Sequence, residues 1–149
     1  MNKDKNSINK TNDLNTNSSI VIQFTVYTDE EHLYNLLNNI SQNKLNICAY
    51  YISEDNKILK FVFIVGQDDI QSPNDVNIVR NILHENNYNF NETKVVRVSS
   101  PIKKDLLAYH YSELMKTLTV FNSYICRDGS IIYETCCPTK TIKVINELS

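Results

Sequence analysis

Residues 20–40, IVIQFTVYTDEEHLYNLLNNI, contain the transition that decides the fold. In residues 20–28 apolar side chains alternate with a period of two, which is typical of a β-strand. Beyond them the apolar residues recur with the spacing of a helical stripe: Leu33, Leu36, Leu37 and Ile40. Thr28 and Glu31 match the capping box that begins a helix. The stretch therefore predicts a strand that leads directly into a helix.

The same patterns continue along the chain and then repeat. They predict strands at 45–52, 57–65 and 93–98 and a helix at 72–87, which Ser72 caps and whose first turn holds Pro73. The apolar face of that helix is predicted to comprise Val76, Val79, Ile82 and Leu83. At an offset of about seventy residues, a helix (100–116), two strands (118–126 and 130–136) and a helix (138–149) follow in the same order. We therefore predict an α+β fold, a ferredoxin-like βαββαβ unit (19–98) followed by a partial second repeat, αββα (99–149). The second repeat shares strand 93–98, and the sheet is antiparallel with helices packed on one face.

The N-terminal segment differs from the rest in composition. Residues 1–18 are rich in Asn, Lys, Asp and Ser, which predicts a disordered tail. The segment has no apolar region of the kind found in secretory signals, so we expect a cytoplasmic protein with free thiols. No apolar run approaches the ~20 residues of a membrane helix. The net charge of −2 gives no general attraction to nucleic acid or to an anionic membrane, and we expect neither as a partner.

Three of the four cysteines lie in CRDGSIIYETCC, residues 126–137. The Asp128-Gly129 pair predicts a two-residue type I′ hairpin, with Cys126 opposite Ile131. In that register Cys126 and Cys136 lie about 16 Å apart along the hairpin, beyond the roughly 7 Å Cα separation that a disulfide allows. No CxxC or zinc spacing is present. We predict packed or edge thiols, no metal and no cofactor, with a redox or metal role as the less favoured alternative.

Two functional classes lack the residues that they need. The histidines, His32, His84 and His110, all fall in predicted helices, and no spacing pairs one with a nucleophile or a carboxylate pair, so we expect no catalytic residue and no enzyme. An RNA-binding RRM shares the βαββαβ order, but its stacking aromatic residues point outward. In KILKFVFIV (57–65) Phe61 and Phe63 fall on the predicted core face, and the strand has no glycine.

The segment VIQFTVYTDEEHLYNLLNNISQNKLNICAYYI resembles the ACT-domain family, whose members run strand, loop, helix and then an Asn-Ile pair entering the second strand. Here that pair is Asn46-Ile47. VNIVRNILHENNYNF with TKVVRV resembles the family's second helix and last strand, and PTKTIKVINEL resembles another copy of that helix. The resemblance is to a tandem ACT arrangement. It implies a non-catalytic regulatory or sensor protein that binds a small ligand, for example an amino acid, and forms a homodimer.

The resemblance also implies a ligand site at the first strand–helix loop or at a subunit interface. The candidate ligand-binding residues are Tyr27, Thr28, Asp29, Glu30 and Asn46. The family's usual Asp-x-x-Gly motif is absent from this loop, which has no glycine. Its acidic side chains would repel a carboxylate but accept an ammonium group. The alternative function is a protein–protein interaction module without a small ligand, favoured by sheet edges and nine tyrosines.

Overall fold

The computed structural model describes residues 17–67, 70–99 and 106–148. Within them the elements follow in the order β1 (Asn17–Thr28), α1 (Glu30–Gln42), β2 (Ile47–Asp55), β3 (Ile58–Val65), α2 (Pro73–Glu85), β4 (Asn89–Ser99), α3 (Leu106–Met115), β5 (Val120–Ile125), β6 (Ile131–Thr135) and α4 (Pro138–Glu147). The predicted α+β order is confirmed. Most of the predicted tail, 1–16, lies outside the described residues, and β1 already begins at Asn17.

The chain divides into two compact units. The first comprises Val21–Val95 and Cys126–Asp128, and its strands are hydrogen-bonded in the order β2-β3-β1-β4. The second contains Val96–Ile125 and the chain from Gly129 onward, and its strands follow the order β4-β6-β5. Strand β4 contributes its first residues to one unit and its last residues to the other. The predicted domain boundaries, 19–98 and 99–149, stay a prediction.

The core of the first unit lies between one face of the sheet and both of its helices. Phe24 of β1 stacks on Phe63 of β3 with 5.5 Å between ring centroids, and Phe63 stacks on Phe61 at 4.6 Å. All three rings are buried. The helices complete the core with the residues that share its inner face: Leu33, Leu36, Ile40, Val76, Val79, Ile82 and Leu83. Both helices therefore cover the same face, as the alternation in the strands predicts.

The second unit has a smaller core of the same design. Val96 and Val98 of β4 and Ile131 and Tyr133 of β6 face the helices. Leu114 of α3 and Ile145 of α4 pack against them, and all six side chains are buried. The helical spacing of apolar residues in α3 predicts one buried stripe: Leu107, Tyr111, Leu114 and Met115. This prediction is only partly correct, because Leu114 is buried and the other three are exposed.

The first helix begins one residue later than the capping box predicts. Thr28 is still part of β1, so Asp29 is the N-cap, and its side chain accepts a hydrogen bond from the His32 backbone N–H. Ser72 caps α2 as predicted, and Pro73 occupies the first turn. Sequence therefore located both helix starts, and the length of β1 decided which residue caps α1.

The predicted register of the second hairpin is wrong by one residue. Ile125, and not Cys126, lies opposite Ile131. A type I′ turn needs positive φ at both central residues, but of the pair only Gly129 has one (φ 89°). Residues 126–130 instead form a longer connection, whose Arg127 N–H donates to the Cys48 carbonyl at 3.0 Å. All four cysteines are free thiols.

Candidate functional site

Four of the five predicted ligand-binding residues lie where β1 leads into α1: Tyr27 and Thr28 end the strand, Asp29 caps the helix and Glu30 begins it. Tyr27 lies opposite Lys60 of β3 and is exposed, Thr28 is half-buried, and Asp29 and Glu30 are exposed. The Asp29 carboxylate accepts the His32 backbone N–H at 2.9 Å, and the His32 ring Nδ1 lies 2.8 and 2.9 Å from its two oxygens. Asp29 is thus engaged by its own helix, while Glu30 has no such role.

These contacts change the protonation of both partners. The hydrogen bond from the His32 backbone, followed by that from its ring, lowers the pKa of Asp29. The hydrogen bond to Asp29, followed by the charge of its carboxylate, raises the pKa of His32. The pair is therefore charged, and stabilising, between the lowered pKa of Asp29 and the raised pKa of His32. Its contribution is lost as the pH rises through the folded-state pKa of His32, or falls through that of Asp29.

Replacing Asp29 with asparagine is expected to lower the pKa of His32 toward its ordinary value of about 6.5. Asparagine caps helices about as well as aspartate, so the helix start is retained and only the charge is lost. An NMR titration of the His32 ring protons measures the change. The matched variant Asp29→Ala removes cap and charge, and should also lower the melting temperature. An unchanged His32 titration in Asp29→Asn would contradict the ion pair.

The fifth predicted residue, Asn46, lies beyond the opposite end of α1. The helix spans Glu30–Gln42, which at 1.5 Å per residue separates Asn46 from Asp29 by about 20 Å. Asn46 Nδ2 donates to the Gly66 carbonyl at 2.8 Å, and the Gly66 N–H donates to the Asn46 carbonyl at 2.9 Å. The structure therefore brings the loop residues together but places Asn46 elsewhere.

Asn46 lines a groove between the C-terminal half of α1 and the outer strand β2, which we call the first groove. Its volume is about 920 Å³. Apolar and aromatic side chains make up most of the wall: Leu37, Ile40, Leu45, Ile47, Tyr50, Ile52 and Phe61. Leu37 belongs to the predicted stripe of α1 but is 37% exposed, because Leu33, Leu36 and Ile40 already fill the core. Leu37, which the core does not accommodate, therefore lines the first groove.

The charged residues of the first groove are both cations, Lys44 and Arg127. Lys44 follows α1 with φ 58°, and its N–H donates to the Ser41 carbonyl at 2.9 Å, which ends the helix. Arg127 reaches the groove from the β5–β6 connection through the backbone bond to Cys48. No carboxylate lines the groove among the described residues. Its walls are thus suited to a ligand with an apolar part and an anionic group.

Sequence reasoning missed Lys44 and Arg127. The sequence gives little indication that Lys44 is left-handed, because the segment between helix and strand lacks the glycine that usually occupies such a position. Arg127 is distant in sequence, and the wrong hairpin register gave it no role. Among the described residues no group of His, Cys, Asp or Glu side chains is arranged to hold a metal ion. No helix in the described ranges is long and apolar enough to cross a membrane.

The fold, though not the sequence, is similar to that of known proteins. No family model and no curated protein matches the sequence. Protein BT0572 from Bacteroides thetaiotaomicron superposes with a TM-score of 0.73 at 18% identity, over 88% of this chain and 90% of that one. The regulatory subunit of aspartate kinase from Thermus thermophilus, in its ligand-free form, gives 0.57 at 7% identity over 89% and 95%. The same subunit from Thermus flavus gives 0.57 at 7% over 89% and 93%. At 18% identity or less, all three likenesses concern the fold alone.

Proposed function

We propose that this chain is a non-catalytic, ACT-like regulatory protein that binds a small carboxylate ligand, such as an amino acid, in the first groove. The observation that carries the proposal is the pair Lys44 and Arg127 on an otherwise apolar and aromatic wall. Two structures of similar fold are regulatory subunits, which supports the regulatory role. The free thiols are in keeping with a reducing cytoplasm. The loop site at Tyr27–Glu30 stays a prediction.

The two cations belong to different parts of the chain, since Lys44 follows α1 and Arg127 lies in the β5–β6 connection. Each would donate a charge-assisted hydrogen bond to a ligand carboxylate, and such bonds are about twice as strong as neutral ones. Tyr50 is 59% exposed and offers an aromatic face at the rim. An amino acid fits this arrangement if its carboxylate meets the cations and its side chain lies on the apolar wall. The proposal therefore places the carboxylate at the end of α1 opposite to Asp29.

The double variant Lys44→Ala/Arg127→Ala is expected to abolish ligand-induced stabilisation. A ligand at one hundred times its Kd stabilises the folded state by about 2.7 kcal/mol, which a thermal-shift screen of the twenty amino acids detects. The matched control is Lys143→Ala, which removes an exposed cation from α4. Retention of a full shift in the double variant would contradict the proposed site. A screen without any stabilising amino acid would contradict amino-acid binding.

A homodimer formed through β2 is the second part of the proposal. Strand β2 is the outer strand of its unit, and Tyr50 and Ile52 are 59% and 47% exposed. An exposed outer strand with apolar side chains is a template for pairing. The same surface supports the alternative of a protein-interaction module, in which another protein takes the place of the second copy. In either complex the partner chain on β2 covers the first groove.

Light scattering after size exclusion is expected to report twice the mass of the chain, and Ile52→Lys is expected to yield monomer. A charge buried in an interface without a partner is strongly unfavourable. Ile58→Lys is the matched control, because Ile58 is 54% exposed at the start of β3 and does not line the groove. A monomeric parent protein would overturn the dimer and leave the interaction module.

A further inference from the structure

The second unit contains a groove at the equivalent place, between α3 and its outer strand β5. Its volume is about 810 Å³. The wall includes Leu107, Tyr111 and Met115 of α3, the residues of the predicted stripe that are exposed. The remaining lining residues are Ala108 and Ser112 of α3 and Ser123, Tyr124 and Ile125 of β5. In contrast to the first groove, the described lining contains no charged side chain.

Three buried polar atoms beside this second groove lack a hydrogen-bond partner within the described part of the chain. They are His110 Nδ1, Tyr133 Oη and Ser123 Oγ. His110 is 2% exposed and Tyr133 fully buried. Buried polar side chains are nearly always satisfied in native proteins, and each one left unpaired is costly. Three in one place therefore indicate an arrangement that is completed by a group outside the described residues.

The three residues are neighbours in the second unit, and one of them, Ser123, lines the second groove. Ser123 lies directly opposite Tyr133 in the β5–β6 pairing, so both side chains share the face that α3 covers. The ring of His110 packs edge-on against Tyr133, with 6.1 Å between the centroids. Ser123 itself lines the groove and is the outermost of the three. It takes the place opposite Tyr133 that Tyr50 takes opposite Phe63 in the first unit.

The cluster is uncharged near neutral pH. Burial lowers the pKa of His110, which keeps its ring neutral, and burial raises the pKa of Tyr133, which keeps its hydroxyl protonated. A neutral hydroxyl on a ligand can donate to or accept from these groups, and a carbonyl can accept from them. A charged ligand would lose its hydration without gaining an opposite charge. Tyr111, Tyr124 and Met115 offer aromatic and thioether contacts for an aromatic body.

We propose that the second groove is a ligand site for a small uncharged aromatic compound with one hydroxyl or carbonyl group, which Ser123 binds beside the His110–Tyr133 cluster. The two grooves of the repeat then differ in chemistry. The first is lined by cations, and the second recognises a neutral polar group. This second site does not depend on the amino-acid site of the first unit.

Three probes of similar size test the site on the full chain: benzyl alcohol, toluene and benzoate. In a ¹H–¹⁵N NMR titration, benzyl alcohol is expected to shift the amide signals of Ser112 and Ser123 in a saturable manner. Toluene, which lacks the hydroxyl, should bind about fivefold more weakly, the usual effect of one hydrogen bond. Benzoate should cause no saturable shift at these amides. Equal binding of benzoate, or no saturable binding of any probe, would overturn the proposal.

Variants separate recognition from structure. Ser123→Ala should remove the preference for benzyl alcohol over toluene. Met115→Lys should abolish binding of both probes, since Met115 lines the groove and is 60% exposed. Phe121→Lys is the control, because Phe121 is 65% exposed on the same strand but does not line the groove. Binding that persists in Met115→Lys, or is lost in Phe121→Lys, would place the probe elsewhere and overturn the site.

The melting temperature of Tyr133→Phe distinguishes an unpaired hydroxyl from one that already has a hydrogen-bond partner in the protein. Removal of an unpaired buried hydroxyl should raise the melting temperature of the ligand-free chain and weaken benzyl alcohol binding at the same time. A lower melting temperature would show that the hydroxyl already has a partner within the protein. That result would contradict the proposed role of the cluster.

Discussion

Replacing Phe63 with alanine is expected to lower the free energy of unfolding by about 3–5 kcal/mol. Phe63 is fully buried at the centre of the first unit, where it stacks on Phe24 and Phe61 and lies opposite Tyr50 in β2. Rings on both sides limit the collapse that would refill the cavity. Since small proteins are stable by only about 5–15 kcal/mol, this variant loses a large fraction of its stability. Urea unfolding followed by circular dichroism measures the change.

The control for this experiment is Phe121→Ala. Phe121 is 65% exposed on β5, and substitutions at such positions usually change stability by no more than about 0.5 kcal/mol. The contrast between the two phenylalanines tests the assignment of the core face. A change below about 1 kcal/mol for Phe63→Ala would be incompatible with a central position in the core.

Replacing Gly66 with alanine is expected to destabilise the fold by roughly 1–3 kcal/mol. Gly66 has φ 157°, in the range that side chains rarely adopt, and a Cβ there would lie 3.1 Å from the Ile70 carbonyl oxygen. The residue also exchanges hydrogen bonds with Asn46 on both its N–H and its carbonyl. A shift of the backbone at Gly66 therefore displaces Asn46, which lines the first groove, and should weaken ligand binding there. Thermal unfolding without a ligand measures the loss of stability, and unfolding with a stabilising amino acid measures the loss of ligand binding.

Asn46→Ala separates the two expected consequences of Gly66→Ala, backbone strain and loss of the contact with the first groove. It removes the side-chain hydrogen bond to the Gly66 carbonyl but leaves the backbone of Gly66 unstrained. We expect a smaller loss of stability, about 1 kcal/mol for one hydrogen bond, with a similar loss of ligand binding. Equal stability of Gly66→Ala and the parent protein would contradict the strain.

The order of the elements and the core faces followed from local patterns. Alternation in residues 20–28 and 57–65 placed Phe24, Phe61 and Phe63 on one face, and the structure buries all three there. Helical spacing in α2 identified its buried residues, and Ser72 with Pro73 marked its start. These features depend on neighbours within a few positions of one another, which is why sequence periodicity finds them.

The candidate sites were less accessible to such reasoning. The loop at Asp29 was identified, but its carboxylate caps α1 and pairs with His32. Lys44 and Arg127 line one groove although more than half of the chain separates them. In α3 the predicted stripe was divided, with Leu114 entering the core while Met115 lines the second groove. A helical stripe shows that residues share a side, but not how much of that side the core covers.

The sequence by itself determined the strands and helices, their repeat and the residues available to fill two cores, since these follow from backbone preference and hydrophobic periodicity. Tertiary structure alone decided the hairpin register, the placement of Arg127 against β2 and the exposure of Leu37 and Met115. The physical reason is that burial depends on contacts between residues far apart in the chain. A side chain that the local pattern marks as apolar becomes core or groove only when the opposing elements have taken their positions.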